Sequence, residues 1–131
     1  MKLLINTSNL YFGGGVQVAL SFIEELRILN GEHTFHIFLS QVMNKQLDQE
    51  KYPSNFYFYL IKKSPAALKS RKKIVAQMDQ LEKSIQPDIV FSVFGPSYWR
   101  PKAKHLLGFA GGWLYNPQSV AYNRLNLLQR I

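Results

Sequence analysis

The chain has 131 residues, 47% hydrophobic and 18% charged, a balance that fits one globular domain and argues against disorder or a multidomain array. It has no cysteine, so a disulfide framework and a cysteine-ligated metal site are both closed to it. Sixteen Lys+Arg against eight Asp+Glu leave a formal charge of +8, which favours an anionic partner, and no apolar run approaches the roughly 18 residues of a spanning helix.

In chain order, residues 2–7 form an apolar run bounded by Ser8-Asn9, the pattern of a strand buried on both faces, and Gly13-Gly14-Gly15 then breaks the chain. From Val16, the residues Ala19, Phe22, Ile23, Leu26 and Leu29 recur at steps of three and four and predict a helix that stops at Asn30-Gly31. Residues 34–40 form the second expected strand and residues 41–49 a weaker helix; Tyr52-Pro53-Ser54-Asn55 separates them from a third, aromatic-rich strand over residues 56–61. Ile74, Met78, Leu81 and Ile85 predict a helix with a basic start, ended by Gln86-Pro87. Two further apolar strands are expected over residues 89–94 and 104–109, closed by Gly95-Pro96 and Gly111-Gly112.

Alternation of helices with strands apolar on both faces predicts an α/β, Rossmann-like parallel sheet of about five strands, because parallel neighbours need a crossover that passes over the sheet. A last amphipathic stretch, residues 118–131, places Ala121, Leu125 and Leu128 on one face and ends without a cap. Either it packs back on the sheet, or a second domain or another copy of the chain covers it.

Ligands of open parallel sheets bind outside the carboxyl ends of the strands, which directs attention to the loops after the first, fourth and fifth strands. Three glycines in the first loop allow close backbone approach and lead into a helix N-terminus that favours an anion or a hydroxyl oxygen. A dinucleotide fingerprint counted from Gly13 would need glycine where Val18 stands, and the Gly-Lys-Ser/Thr of a P-loop is missing. The competing expectation is a tight turn that touches no ligand.

Lys2-Leu3-Leu4-Ile5-Asn6, then Gly13-Gly14-Gly15-Val16-Gln17-Val18-Ala19-Leu20, and later Gln86-Pro87-Asp88-Ile89-Val90-Phe91 resemble the N-terminal domain of a GT-B glycosyltransferase of family 4 over most of the chain. The resemblance implies an acceptor-side domain of an enzyme that moves a hexose-like sugar from a nucleotide-sugar donor to a carbohydrate or lipid-linked acceptor, as in cell-envelope polysaccharide synthesis. It also implies that Gly13, Gly14, Gly15, Val16 and Gln17 face the interdomain cleft. Members often carry a histidine after the fourth or fifth strand; here stand Phe94-Gly95 and Phe109-Ala110-Gly111, so no catalytic residue carries over. Nothing corresponds to the donor-binding half, so the chain is expected to be a truncated, single-domain form, inactive alone, with no cofactor beyond the donor of the intact enzyme. The alternative is a stand-alone Rossmann or flavodoxin-like ligand-binding domain.

Ser97, Tyr98, Trp99 and Arg100 follow the fourth strand, and Trp113, Tyr115 and Asn116 follow the fifth. Flat rings suit the apolar face of a sugar and neighbouring polar groups suit its hydroxyls, so Tyr98, Trp99, Arg100 and Trp113 are candidate acceptor residues, against packing of both tryptophans under the loops. Under the acceptor reading, Trp99→Leu and Trp113→Leu leave the fold intact and abolish binding. Between Lys51 and Met78 the chain has no acid; Lys62, Lys63, Lys69, Arg71, Lys72 and Lys73 read either as a solvated helix start or as a contact to an anionic membrane surface. The expected location is accordingly the cytoplasm, with a peripheral position at the inner face of the membrane. A nucleic-acid partner is not expected, since interleaved aromatics are lacking. His33, His36 and His105 show no ligand spacing, no metal is expected, and no G-x-S-x-G elbow surrounds any serine.

Overall fold

A computed structural model describes residues 1–29, 31–109 and positions 118 and 120. The expectations for Asn30, Gly111-Gly112, Trp113, Tyr115, Asn116 and nearly all of the C-terminal amphipathic stretch lie outside the described residues.

The elements are β1 (Lys2–Thr7), α1 (Gly14–Leu29), β2 (Thr34–Leu39), α2 (Gln41–Gln46), a 3-10 turn (Gln49–Lys51), β3 (Phe56–Leu60), α3 (Arg71–Ile85), β4 (Ile89–Ser92) and β5 (Lys104–Leu107). All five strands are parallel and lie in the order β3-β2-β1-β4-β5. The α/β class with a Rossmann-like sheet is therefore as expected. The order matches the first five strands of the six-stranded Rossmann order 3-2-1-4-5-6 and differs from the flavodoxin order 2-1-3-4-5.

The period-two geometry of the strands explains the two cores. Ile5, Ile37 and Leu39 face one side, where Val16, Ala19 and Ile23 of α1 and Met43 of α2 cover them. Leu4, Phe38 and Val90 face the other, under Ile74, Met78 and Ile85 of α3. Helix α2 is started by Ser40, whose side chain accepts from the Met43 amide at 3.2 Å. Helix α3 ends at Gln86, which is left-handed at φ 52° and donates its amide to Glu82 O.

Two expectations need correction. Helix and strand do not alternate to the end: residues 93–103, between β4 and β5, contain no regular helix. Trp99 of this connection belongs to the buried cluster with Phe38, Met78 and Val90. Nor is the fifth strand buried on both faces, because all of Lys104–Leu107 is exposed.

Asp88 stands at the amino edge of β4, where its amide donates to Lys2 O at 3.0 Å and its carboxylate accepts from the Lys2 amide at 2.7 Å. The Pro87-Asp88 pair thus ties β4 to β1 at the end of the sheet away from the glycine turn.

Candidate functional site

The strands β1 and β4 are sequence-distant neighbours, and the loops leaving their carboxyl ends diverge around a cavity of about 610 Å³. Such a switch point is where ligands of open parallel sheets bind. Leu10, Tyr11 and Phe12 come from the loop after β1, Ser64 and Ala66 from the β3–α3 loop, and Phe94, Pro96 and Tyr98 from the loop after β4. The walls are largely apolar. Phe12 is 88% exposed at the entrance and Tyr98 is half exposed.

Hydrogen bonds hold this shape from below. Asn6 Nδ2 donates to Ser92 Oγ, and Asn6 Oδ1 accepts from both the amide and the hydroxyl of Ser8, all buried. Thr7 Oγ1 donates to Phe38 O, and the Ser40 hydroxyl donates to Leu10 O, fixing the loop as it leaves β1. Asn9 reaches across the switch point, donating from Nδ2 to Phe94 O at 2.8 Å and to Pro96 O at 3.0 Å. Asn9 Oδ1 and the Tyr11 hydroxyl are the two buried side-chain polar atoms without a partner among the described residues, and both residues line the cavity. Burial pushes the Tyr11 hydroxyl above its ordinary pKa, so it remains a neutral donor.

The glycine turn has three different occupants. Gly13 takes φ 75°, a conformation natural to glycine, and Gly14 faces open space. At Gly15 a Cβ would stand 3.2 Å from the Phe94 ring, so this glycine lets the start of α1 approach the loop after β4. Val16 is core, with its side chain turned away from any ligand, while Gln17 is exposed on α1. The turn therefore borders the cavity through Phe12 without lining it.

Of the aromatic candidates, Tyr98 is in the cavity wall and Trp99 is not. Trp99 is only 4% exposed, and its Nε1 donates to Asp79 Oδ1 on α3 at 2.8 Å. Its place as a sugar-stacking platform is corrected accordingly: the indole is core, and the wall ring beside it is Tyr98. Tyr98 has φ 55°, a left-handed position that costs a non-glycine residue about 1 kcal/mol or more. The Arg71 guanidinium lies 5.2 Å from its ring centre, a cation–π contact across the cavity rim. Arg100 is exposed and outside the lining.

Arg71 also donates to Pro65 O and Ala66 O, both at 3.1 Å, which braces the β3–α3 loop. It is thus a structural clamp and is withdrawn from the set of free surface cations. Lys62, Lys63, Lys69, Lys72 and Lys73 remain exposed. Ion pairs among the described residues join only Arg27 to Glu24 and Lys51 to Asp48, so none of these five lysines is neutralised.

Tyr11, Phe12, Asn9, Ser64 and Ala66 were not anticipated as lining residues. Only the position of Tyr11-Phe12 directly before the glycines could have flagged any of them. Among the described residues no cluster of three metal-ligating side chains exists, and no helix is long and apolar enough to cross a membrane. Comparison with family models, curated proteins and solved structures gave no match.

Proposed function

We propose that this chain is the acceptor-side domain of a glycosyltransferase of GT-B architecture, and that the cavity between the loops after β1 and β4 receives the sugar acceptor. The observation that carries the reading is the wall itself: exposed Phe12 and Tyr98 rings beside two polar atoms, Asn9 Oδ1 and the Tyr11 hydroxyl, whose hydrogen-bonding capacity is unused. Rings can stack on the apolar face of a sugar, while a small rearrangement of the loop would let the unused oxygen and hydroxyl meet its hydroxyls. The nearby glycine turn leaves the start of α1 open to a donor phosphate or an acceptor oxygen. A GT-B enzyme would bring the nucleotide sugar on its other domain, so the acceptor is the ligand expected to bind here.

The test is a titration of the isotopically labelled chain with a panel of oligosaccharides and, separately, with UDP-glucose and FMN, following backbone amides. The expected result is saturable movement of Phe12–Gln17 and Tyr98 with at least one oligosaccharide, weakened about tenfold by Tyr98→Ala. Saturation of the same amides by UDP-glucose or FMN, with no saccharide response, would replace this reading with a stand-alone nucleotide-binding Rossmann domain.

A further inference from the structure

A second concavity, of about 240 Å³, lies where β3 ends and α3 begins, separate from the cavity at the switch point. Lys62, Lys63, Lys73, Ser70 and Gln77 line it together with the apolar Leu60 and Ile74. No acidic residue lines it, and none of the three lysines has an ion-pair partner among the described residues.

The start of α3 is electrostatically inverted. A helix N-terminus carries partial positive charge and normally attracts Asp or Glu, yet the first turn here is Arg71-Lys72-Lys73 with no acid. Ser70 occupies the N-cap position without making a capping bond from its side chain. Three further ammonium groups, on Lys62, Lys63 and Lys69, stand on the loop leading into that turn. Such a concentration of like charge destabilises the free protein, and an anion among the lysines removes the penalty. Local rules broken together in this way are a mark of a ligand site.

We propose that this concavity binds a phosphate group, taken either from a lipid headgroup or from a soluble phosphate. Lys62, Lys63 and Lys73 supply charge-assisted hydrogen bonds, the Ser70 hydroxyl supplies another, and Leu60 with Ile74 contacts the apolar part of the phosphate ester. Leu68, 80% exposed on the same loop between Lys63 and Lys69, gives the lipid source a distinct signature, because an apolar side chain beside lysines partitions into a bilayer interface and contributes nothing to binding a soluble ion. The proposal is independent of the glycosyltransferase reading, since the site lies outside the acceptor cavity.

Two probes test it on the whole chain. Inorganic phosphate is titrated at constant ionic strength against chloride, reading the amides of Ser70–Lys73 and the unfolding temperature. Vesicles of phosphatidylglycerol are compared with vesicles of phosphatidylcholine by sedimentation. Lys62→Gln/Lys73→Gln is the site variant, and Lys45→Gln/Lys51→Gln is the charge-matched control. Phosphate binding is expected to move those amides saturably and raise the unfolding temperature, with at least about a tenfold loss in the site variant and none in the control. Binding to phosphatidylglycerol that is lost in the site variant and in Leu68→Ser assigns the phosphate to a headgroup. A response to inorganic phosphate that Leu68→Ser leaves unchanged, without selective vesicle binding, assigns it to a soluble phosphate. The proposal fails if neither probe binds, if chloride acts as well as phosphate, or if the control variant loses as much as the site variant.

Discussion

Asn6 and Ser92 sit opposite each other on β1 and β4, and the Asn6 amide donates to the Ser92 hydroxyl at 3.0 Å in a wholly buried setting. The bond is one step of a chain that runs from the Ser8 hydroxyl through Asn6 and Ser92 to His105 Nε2, 2.9 Å from Ser92. It joins β1, β4 and β5 beneath the candidate cavity, so it couples the two loops that form the walls.

Removing either partner strands buried polar atoms, which costs more than the bond itself contributes. Asn6→Ala leaves the Ser8 hydroxyl and the Ser92 hydroxyl short of a partner and is expected to destabilise the protein by about 2–4 kcal/mol; Ser92→Ala is expected to cost about 1–3 kcal/mol. In a urea double-mutant cycle the pair should fall short of additivity by at least about 0.5 kcal/mol. Strict additivity would show that the two side chains act separately.

Trp99 tests whether the loop after β4 is a binding surface or a piece of core. With its indole packed between Phe38 and α3 and its N–H bonded to Asp79, Trp99→Leu should cost about 2–4 kcal/mol in stability through lost packing and a lost hydrogen bond. Tyr98→Ala, one position earlier and half exposed, should change stability by no more than about 1 kcal/mol. Equal and small effects in thermal or urea unfolding would return Trp99 to the surface.

These two neighbours also mark how far the sequence could be followed. Alternation of Leu4 and Ile5, the spacing of Val16, Ala19 and Ile23, and the breaks at Gly13 and Pro87 are local signals, and such signals located the strands and helices among the described residues. Burial of Trp99 depends on Phe38 and Met78, far away in the chain, and on a β4–β5 connection without a helix; no periodicity within Ser97–Arg100 encodes that. Likewise Asn9 becomes a bridge only because Phe94 and Pro96 are brought opposite it by the β1–β4 pairing. The lysine cluster was visible because its members are close in sequence, whereas the diversion of Arg71 to Pro65, Ala66 and Tyr98 required the fold.

Acid should weaken the fold through its histidines. His36 is buried, stacked on Tyr57 and sharing a hydrogen bond with Tyr59, and burial, assisted by the Lys2 charge, holds its pKa below the ordinary value. His105 is exposed as a residue, but partial desolvation of its ring, which reaches Ser92, also lowers its pKa, opposed by the Glu82 charge. Both therefore bind fewer protons folded than unfolded, so stability is unaffected well above the unfolded value of about 6.5 and falls as the pH drops through it toward the depressed folded values. The urea midpoint should decline between about pH 7.5 and about pH 5.5, and His36→Gln should flatten that decline. A midpoint that rises over this interval would reverse the assignment.

Gly108 and Gly14 should respond to alanine in opposite directions. At Gly108 a Cβ would fall 2.0 Å from Val93 O, while the backbone there donates to Ser92 O and accepts from the Gly95 amide. No side-chain rotation can relieve a clash between backbone and Cβ, so Gly108→Ala must separate the continuation of β5 from the loop after β4 and should cost about 2–4 kcal/mol. Gly14 opens α1 with nothing within 4 Å of its Cβ position, and Gly14→Ala should add about 0.4–1 kcal/mol by restricting the unfolded chain. Urea unfolding of the two variants beside the wild type reads both signs. A Gly108→Ala protein as stable as the wild type would mean that the Gly95–Gly108 pairing, and with it one wall of the candidate cavity, is not held as described.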